Sequence, residues 1–263
     1  MSKPPRNKNS KKLFSEHLSE LRNRTLISIS AVMACAAAAF AVREELIRFL
    51  SLPFKETLYY TSPAGGLEIA VTVSLGAGVI AAFPVIIFQA LSFILPIVPG
   101  RTKWLVVGYT LSSWLLAIGG SAFAYYISLP AALNLLSMFA TEDIKSLIAA
   151  DQYIRFIMIY LVGFAVMFQL PVVVLLINNI SPLRPLRLLS YTGYVVLGSF
   201  IAAAILTPTP DPVNQTIMAG VPIALYLVSI LLIALWRVRW KSLLIWKRPR
   251  GKSGLVPDGE PVA

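Results

Sequence analysis

The stretch "SEHLSELRNR", Ser15–Arg24, runs directly into "TLISISAVMACAAAAFAV", Thr25–Val42. The first part packs together Glu16, His17, Glu20, Arg22 and Arg24, whereas the second carries no charge at all. A helix needs about 20 apolar residues to cross a hydrocarbon core of about 30 Å. The uncharged part therefore reads as a membrane span and the charged part as its threshold. Further uncharged windows follow at Ile69–Gly100, Trp104–Thr141, Phe156–Leu183, Leu188–Pro210 and Pro212–Trp236. With 57% hydrophobic and 13% charged residues among 263, the composition excludes an ordinary soluble domain. The fold class expected is an all-α integral membrane protein with six transmembrane helices, roughly 25–42, 67–95, 104–129, 153–180, 189–206 and 215–236.

Orientation follows from lysine and arginine, which collect in short cytoplasmic loops. Placing the N-terminus inside puts 18 of the 23 basic residues on the cytoplasmic side and only Arg43, Arg48, Lys55, Lys145 and Arg155 outside. Both termini are thus predicted to be cytoplasmic. Basic ends beside anionic lipid also account for the net charge of +11 without nucleic acid as a partner. The Ala-rich first window is read as a retained span, because cleavage as a signal peptide would discard the charged stretch.

Chemistry is bounded by what is scarce. One cysteine, Cys35, cannot make an intrachain disulfide, and one histidine, His17, makes no histidine cluster for a metal. Phosphate loops, nucleophile elbows and zinc signatures are missing from the sequence, so neither enzymatic activity nor a cofactor is expected.

Residues 1–12 read as a basic disordered tail, 13–246 as the six-helix membrane domain and 247–263 as a second disordered tail on the cytoplasmic side. "REELIRFLSLPF" suggests a short amphipathic piece after the first span. Prolines at 84, 96, 130 and 171 are expected to bend or end helices. "TPTPDPVN", Thr207–Asn214, is too proline-rich to be helical, so the last two helices should form a short hairpin. On a helix, Phe14, Leu18 and Leu21 share a face, while Glu20 precedes Arg24 in the favourable i, i+4 order. That pattern serves equally an interfacial anchor and a rim that accepts a cationic partner.

Three stretches, in order and in register, resemble the TatC family of the twin-arginine protein translocase. They are "HLSELRNR" (His17–Arg24), "FPVIIFQALSFILP" (Phe83–Pro96) and "LTPTPDPVNQ" (Leu206–Gln215), within a similarity reaching from Phe14 to Trp236. The resemblance implies a receptor that binds twin-arginine signal peptides at its cytoplasmic face. It also implies scaffolding of folded-protein export driven by the proton-motive force, in an oligomeric complex with TatB-type and TatA-type single-span subunits. Glu20 matches the family's signal-binding glutamate, Arg22 and Arg24 its basic neighbours, and Phe93 an aromatic of the first cytoplasmic loop. His17, Pro84, Gln89, Pro96, Pro208, Asp211 and Gln215 match positions that shape the loops or contact partners.

The sequence departs from that pattern in three places. A second loop glutamate is replaced in "PIVPGRTKW", where the aligned residue is Thr102. An intramembrane glutamate is replaced by Gln169 in "FQLPVVV", and the first external loop lacks its acid unless Glu68 serves. Glu16 could compensate for Thr102 if it faces inward. Six spans also suit a secondary transporter or channel, but no acid or base lies well inside any span and the proline-bearing segments do not fall in equivalent positions of two halves.

Overall fold

A computed structural model of the chain describes residues 8–54, 58–59, 62–94, 103–137, 149–206 and 212–246. Pro96, Thr102, Pro208 and Asp211 lie outside these residues, as do 1–7 and 247–263; Glu16 is described in its backbone alone. The described residues are helical throughout, apart from short turns and one isolated bridge between Tyr59 and Ala149.

α1, Lys8–Ala41, is one helix of 34 residues, because no glycine or proline interrupts it. At 1.5 Å per residue it is about 51 Å long, so the charged stretch continues the span as a projecting helix. It begins at Lys8, within the stretch read from the sequence as a basic tail. α2, Arg43–Ser51, is the expected amphipathic piece, with Glu44 and Glu45 in its first turn, Arg48 in its last and Leu50 buried. α3, Gly65–Ile94, returns alongside α1 and continues through Pro84, which does not end it. The neighbouring Phe83 is packed with Ala117 and Ala165 of other helices, which holds this segment in place.

α4, Lys103–Phe123, passes through a π-helical turn, Ala124–Ser128, into α5, Leu129–Ser137. The irregularity expected at Pro130 therefore takes the form of a wide turn just before it. Ser128 shares a hydrogen bond of 2.6 Å with the Tyr160 hydroxyl, and Tyr125 donates to the Phe49 carbonyl at 2.5 Å. α6, Ala150–Met167, breaks at Phe168–Gln169 and resumes as α7, Leu170–Ile180. Pro171 sits in the first turn of α7, where a missing N–H costs nothing. The α6–α7 span is the core of the bundle, with 56% of its most apolar window buried, against 6% for α1. Tyr153, Ile157, Tyr160 and Phe164 form its packed face.

α8, Pro185–Ser190, leads into α9, Thr192–Leu206, and α10, Pro212–Trp246. Among the described residues five helices are long and apolar enough to cross a membrane. α9 is apolar but only 15 residues, about 22 Å. The expected shortness thus belongs to one arm, since the apolar part of α10, Gln215–Leu235, has 21 residues. Pro212, Val213 and Asn214 are helical, contrary to the reading of "TPTPDPVN" as wholly non-helical, because proline is well suited to the first position of a helix. Gln215 ties the two arms by donating to the Phe200 carbonyl at 3.1 Å.

Candidate functional site

α1 packs chiefly against α3, and three contacts define their antiparallel seam. Gly78 lies against the backbone of Ala36, Arg24 meets Gln89, and His17 meets Phe93. The order rises along one helix as it falls along the other. At Gly78 the helices touch so closely that an added Cβ would lie 2.7 Å from the Ala36 nitrogen.

At the far end of this seam the polar residues converge. Arg24 donates from Nε and from Nη2 to the same Glu20 oxygen, Oε1, at 3.0 and 2.7 Å. Its Nη1 donates to Gln89 Oε1 at 3.3 Å. The other Glu20 oxygen, Oε2, lies 3.8 Å from His17 Nδ1. The His17 ring stacks on Phe93 at 4.4 Å between centroids, with 23° between planes. Glu20 keeps 40% of its side chain exposed, so this rim is open on one side.

Below the rim a groove of about 310 Å³ opens between Leu21, Ile86, Ala90 and Phe93. Thr25 and Ser28 also line it, but each hydroxyl donates to the carbonyl of the preceding turn, Leu21 and Arg24 respectively. The groove walls are left largely apolar beneath a charged lip.

Five of the residues singled out in the sequence, His17, Glu20, Arg24, Gln89 and Phe93, therefore form one cluster. Arg22 is exposed beside it and outside its hydrogen bonds. Gln169 and Gln215 lie elsewhere, between other helices. Glu68 pairs with Arg155 of α6 at the opposite end of the bundle. Sequence reasoning did not find the polar tie from Asn179 Nδ2 to the Tyr109 hydroxyl at 3.2 Å, which joins α7 to α4. It also passed over Gly78, whose only signal was small residues on two neighbouring spans.

Gln169 is buried, and its amide orientation is set by two acceptors. Nε2 donates to the carbonyls of Ser113 and Ala165, both at 3.1 Å. Its own backbone N–H turns to Val166, so the side chain caps a carbonyl at the helix break. Oε1 has no partner among the described residues. Gln169→Leu should accordingly lose two interhelical or capping bonds while removing an orphan acceptor, costing about 1 kcal/mol. Gln169→Glu should cost more, because carboxylate oxygens would face both carbonyls. Unfolding of the purified variants in detergent checks the order; equal stability of the two would contradict this assignment.

Long apolar helices, a buried central span and a half-open rim on an antiparallel helix pair, where the Glu20 carboxylate meets Arg24, define a polytopic helical membrane protein. Residues 16–222 match the family described as Sec-independent protein translocase protein (TatC). The chloroplastic TATC protein of Arabidopsis thaliana is 34% identical over 215 residues, 81% of this chain. The chain spans 63% of that relative's length. The TatC protein of Helicobacter pylori is 31% identical over 216 residues, covering 82% of this chain and 86% of that one. A crystal structure of a twin arginine translocase receptor, TatC, superposes with a TM-score of 0.74 at 32% identity, covering 83% of this chain and 98% of the other. The chain belongs to the TatC family. A transporter or channel is not favoured by these comparisons.

Proposed function

We propose that this chain is a core subunit of a twin-arginine translocase, embedded in a prokaryotic plasma membrane with six spans and both termini in the cytoplasm. It recognises twin-arginine signal peptides at its cytoplasmic rim and scaffolds the export of folded proteins driven by the proton-motive force. It assembles with TatB-type and TatA-type single-span subunits and catalyses no reaction of its own. The observation that carries this reading is the convergence of Glu20, His17, Phe93, Gln89 and Arg24 at one end of the α1–α3 seam. That end belongs to the side where the basic residues collect, and an arginine-bearing peptide needs a carboxylate there. The groove beneath suits the apolar segment that follows the charged start of a signal peptide.

The test is photocrosslinking of a twin-arginine signal peptide to probes placed at Leu21 and Ala90, with probes at Leu186 and Tyr194 as comparison. Strong, peptide-dependent products at the first pair support the reading. Products only at the second pair would move the site away from α1 and α3. For orientation, reporters fused after Lys247 should signal cytoplasm and reporters within residues 56–66 should signal outside. An external C-terminus would overturn the topology.

A further inference from the structure

The carboxylate proposed to receive a signal arginine already holds one. Arg24 places two N–H groups on Glu20 Oε1 and a third on Gln89 Oε1. Oε1 is thereby saturated, and Oε2 is the oxygen left for a newcomer, with His17 Nδ1 at 3.8 Å as its neighbour. An incoming guanidinium binds best through paired bonds to both oxygens of a carboxylate. It cannot do so here while Arg24 keeps its present position.

We propose that Arg24 is a resident competitor at the rim, which lowers the affinity for the signal arginine and must release Glu20 for a bidentate pair to form. Gln89 gives Arg24 a place to stay when it does so, since the bond from Nη1 to Gln89 survives the loss of the other two. The displaced side chain need not leave the seam or face an apolar wall alone. Binding then exchanges one guanidinium–carboxylate pair for another instead of creating a new one. This inference rests on the proposed receptor function and concerns what sets affinity at that same site.

Two consequences distinguish a competitor from a residue that merely orients Glu20. Removing the positive charge should tighten peptide binding, because the pair no longer has to be broken. A partly exposed ion pair corresponds to about a two- to five-fold change in affinity. The dependence on salt should also steepen relative to the parent. Exchange of one pair for another leaves the number of screened contacts unchanged, whereas Arg24→Gln makes binding create a pair. Added salt should then weaken the variant's binding more steeply.

The experiment titrates an Arg-Arg signal peptide onto the full-length protein in nanodiscs at two salt concentrations. It compares the parent, Arg24→Gln, Arg24→Lys and Glu20→Gln, each first shown to be folded by its thermal transition. Expected are tighter binding and a steeper salt slope for Arg24→Gln, with Arg24→Lys between it and the parent, because lysine keeps the charge but not the fork. Weaker or unchanged binding by Arg24→Gln, alongside weakened Glu20→Gln, would overturn the competitor while leaving the receptor site in place. If Arg24→Gln does not fold, unchanged binding by Arg24→Lys overturns it instead. Unchanged binding by Glu20→Gln would remove the site itself and the competitor with it.

Discussion

Glu20→Gln is expected to weaken binding of an Arg-Arg signal peptide by up to roughly 10-fold, since the parent carboxylate must give up Arg24 to bind it and only the difference between the two pairs is lost. A hydrogen bond to a charged group contributes about 1.5–3 kcal/mol, and 1.4 kcal/mol is tenfold in affinity. The 40% exposure of the Glu20 side chain places the effect at the lower end, because water and salt screen it. The substitution keeps the shape of the side chain and an oxygen for Arg24, so the rim should stay assembled while its charge is lost. Binding to a Lys-Lys peptide should fall less, since lysine cannot use the paired geometry that the carboxylate offers. Thr102→Ala should change little and Thr102→Glu should tighten binding by restoring a second acid to the loop, an expectation that comes from the sequence alone. The measurement is a peptide titration on purified protein in nanodiscs. Parent-like binding by Glu20→Gln, together with loss of binding in Thr102→Ala, would reduce the charged stretch to a membrane anchor.

Gly78→Leu is expected to be the most damaging single substitution in the described seam. A Cβ at this position would sit 2.7 Å from the Ala36 nitrogen and 2.8 Å from its Cα and Cβ. Those atoms are backbone or next to it, so they cannot swing aside. α1 has little else to hold it, being almost unburied and packed chiefly on α3. Overpacking of this kind costs about 1–3 kcal/mol, and leucine should reach the upper part of that range. Gly78→Ala should cost less, partly because alanine favours a helix over glycine by about 0.5–1 kcal/mol. Gly108→Ala is the control, since a Cβ added there would meet nothing within 4 Å. It should be neutral or slightly stabilising. Thermal unfolding in detergent gives the ranking, and peptide binding gives a second readout. Glu20 is on α1 while Gln89 and Phe93 are on α3, so any shift along the seam pulls the rim apart. Stability of Gly78→Leu equal to the parent would show that α1 can move away from α3 at no cost, and the rim geometry would lose its support.

How much was legible from sequence differs between the helices and the site. Among the described residues the apolar windows overlap the helices long enough to cross a membrane, and α2 was readable from its own charge pattern. Proline was a weaker guide. At 171 it marked a real interruption, at 130 it followed a π-helical turn, and at 84 it left α3 intact. No local pattern in the sequence separates the three cases. Glu20 and Arg24 could be paired from spacing, because i, i+4 residues on a helix must meet. Gln89 could not be placed on Arg24 that way, being 65 positions distant.

By itself the sequence determined that the chain is a helical membrane protein and where along it the apolar windows and the basic residues fall. Those properties depend on transfer of each residue from water to hydrocarbon and on charge near a lipid surface, so they are local sums over short stretches. Tertiary structure alone decided that His17 stacks on Phe93, that Arg24 meets Gln89, that Gly78 lets α1 approach α3 and that Gln169 reaches Ser113, 56 positions away. Each of these depends on side chains meeting in one register, which is set by their fit across the seams between helices and not by the hydropathy of either stretch of sequence.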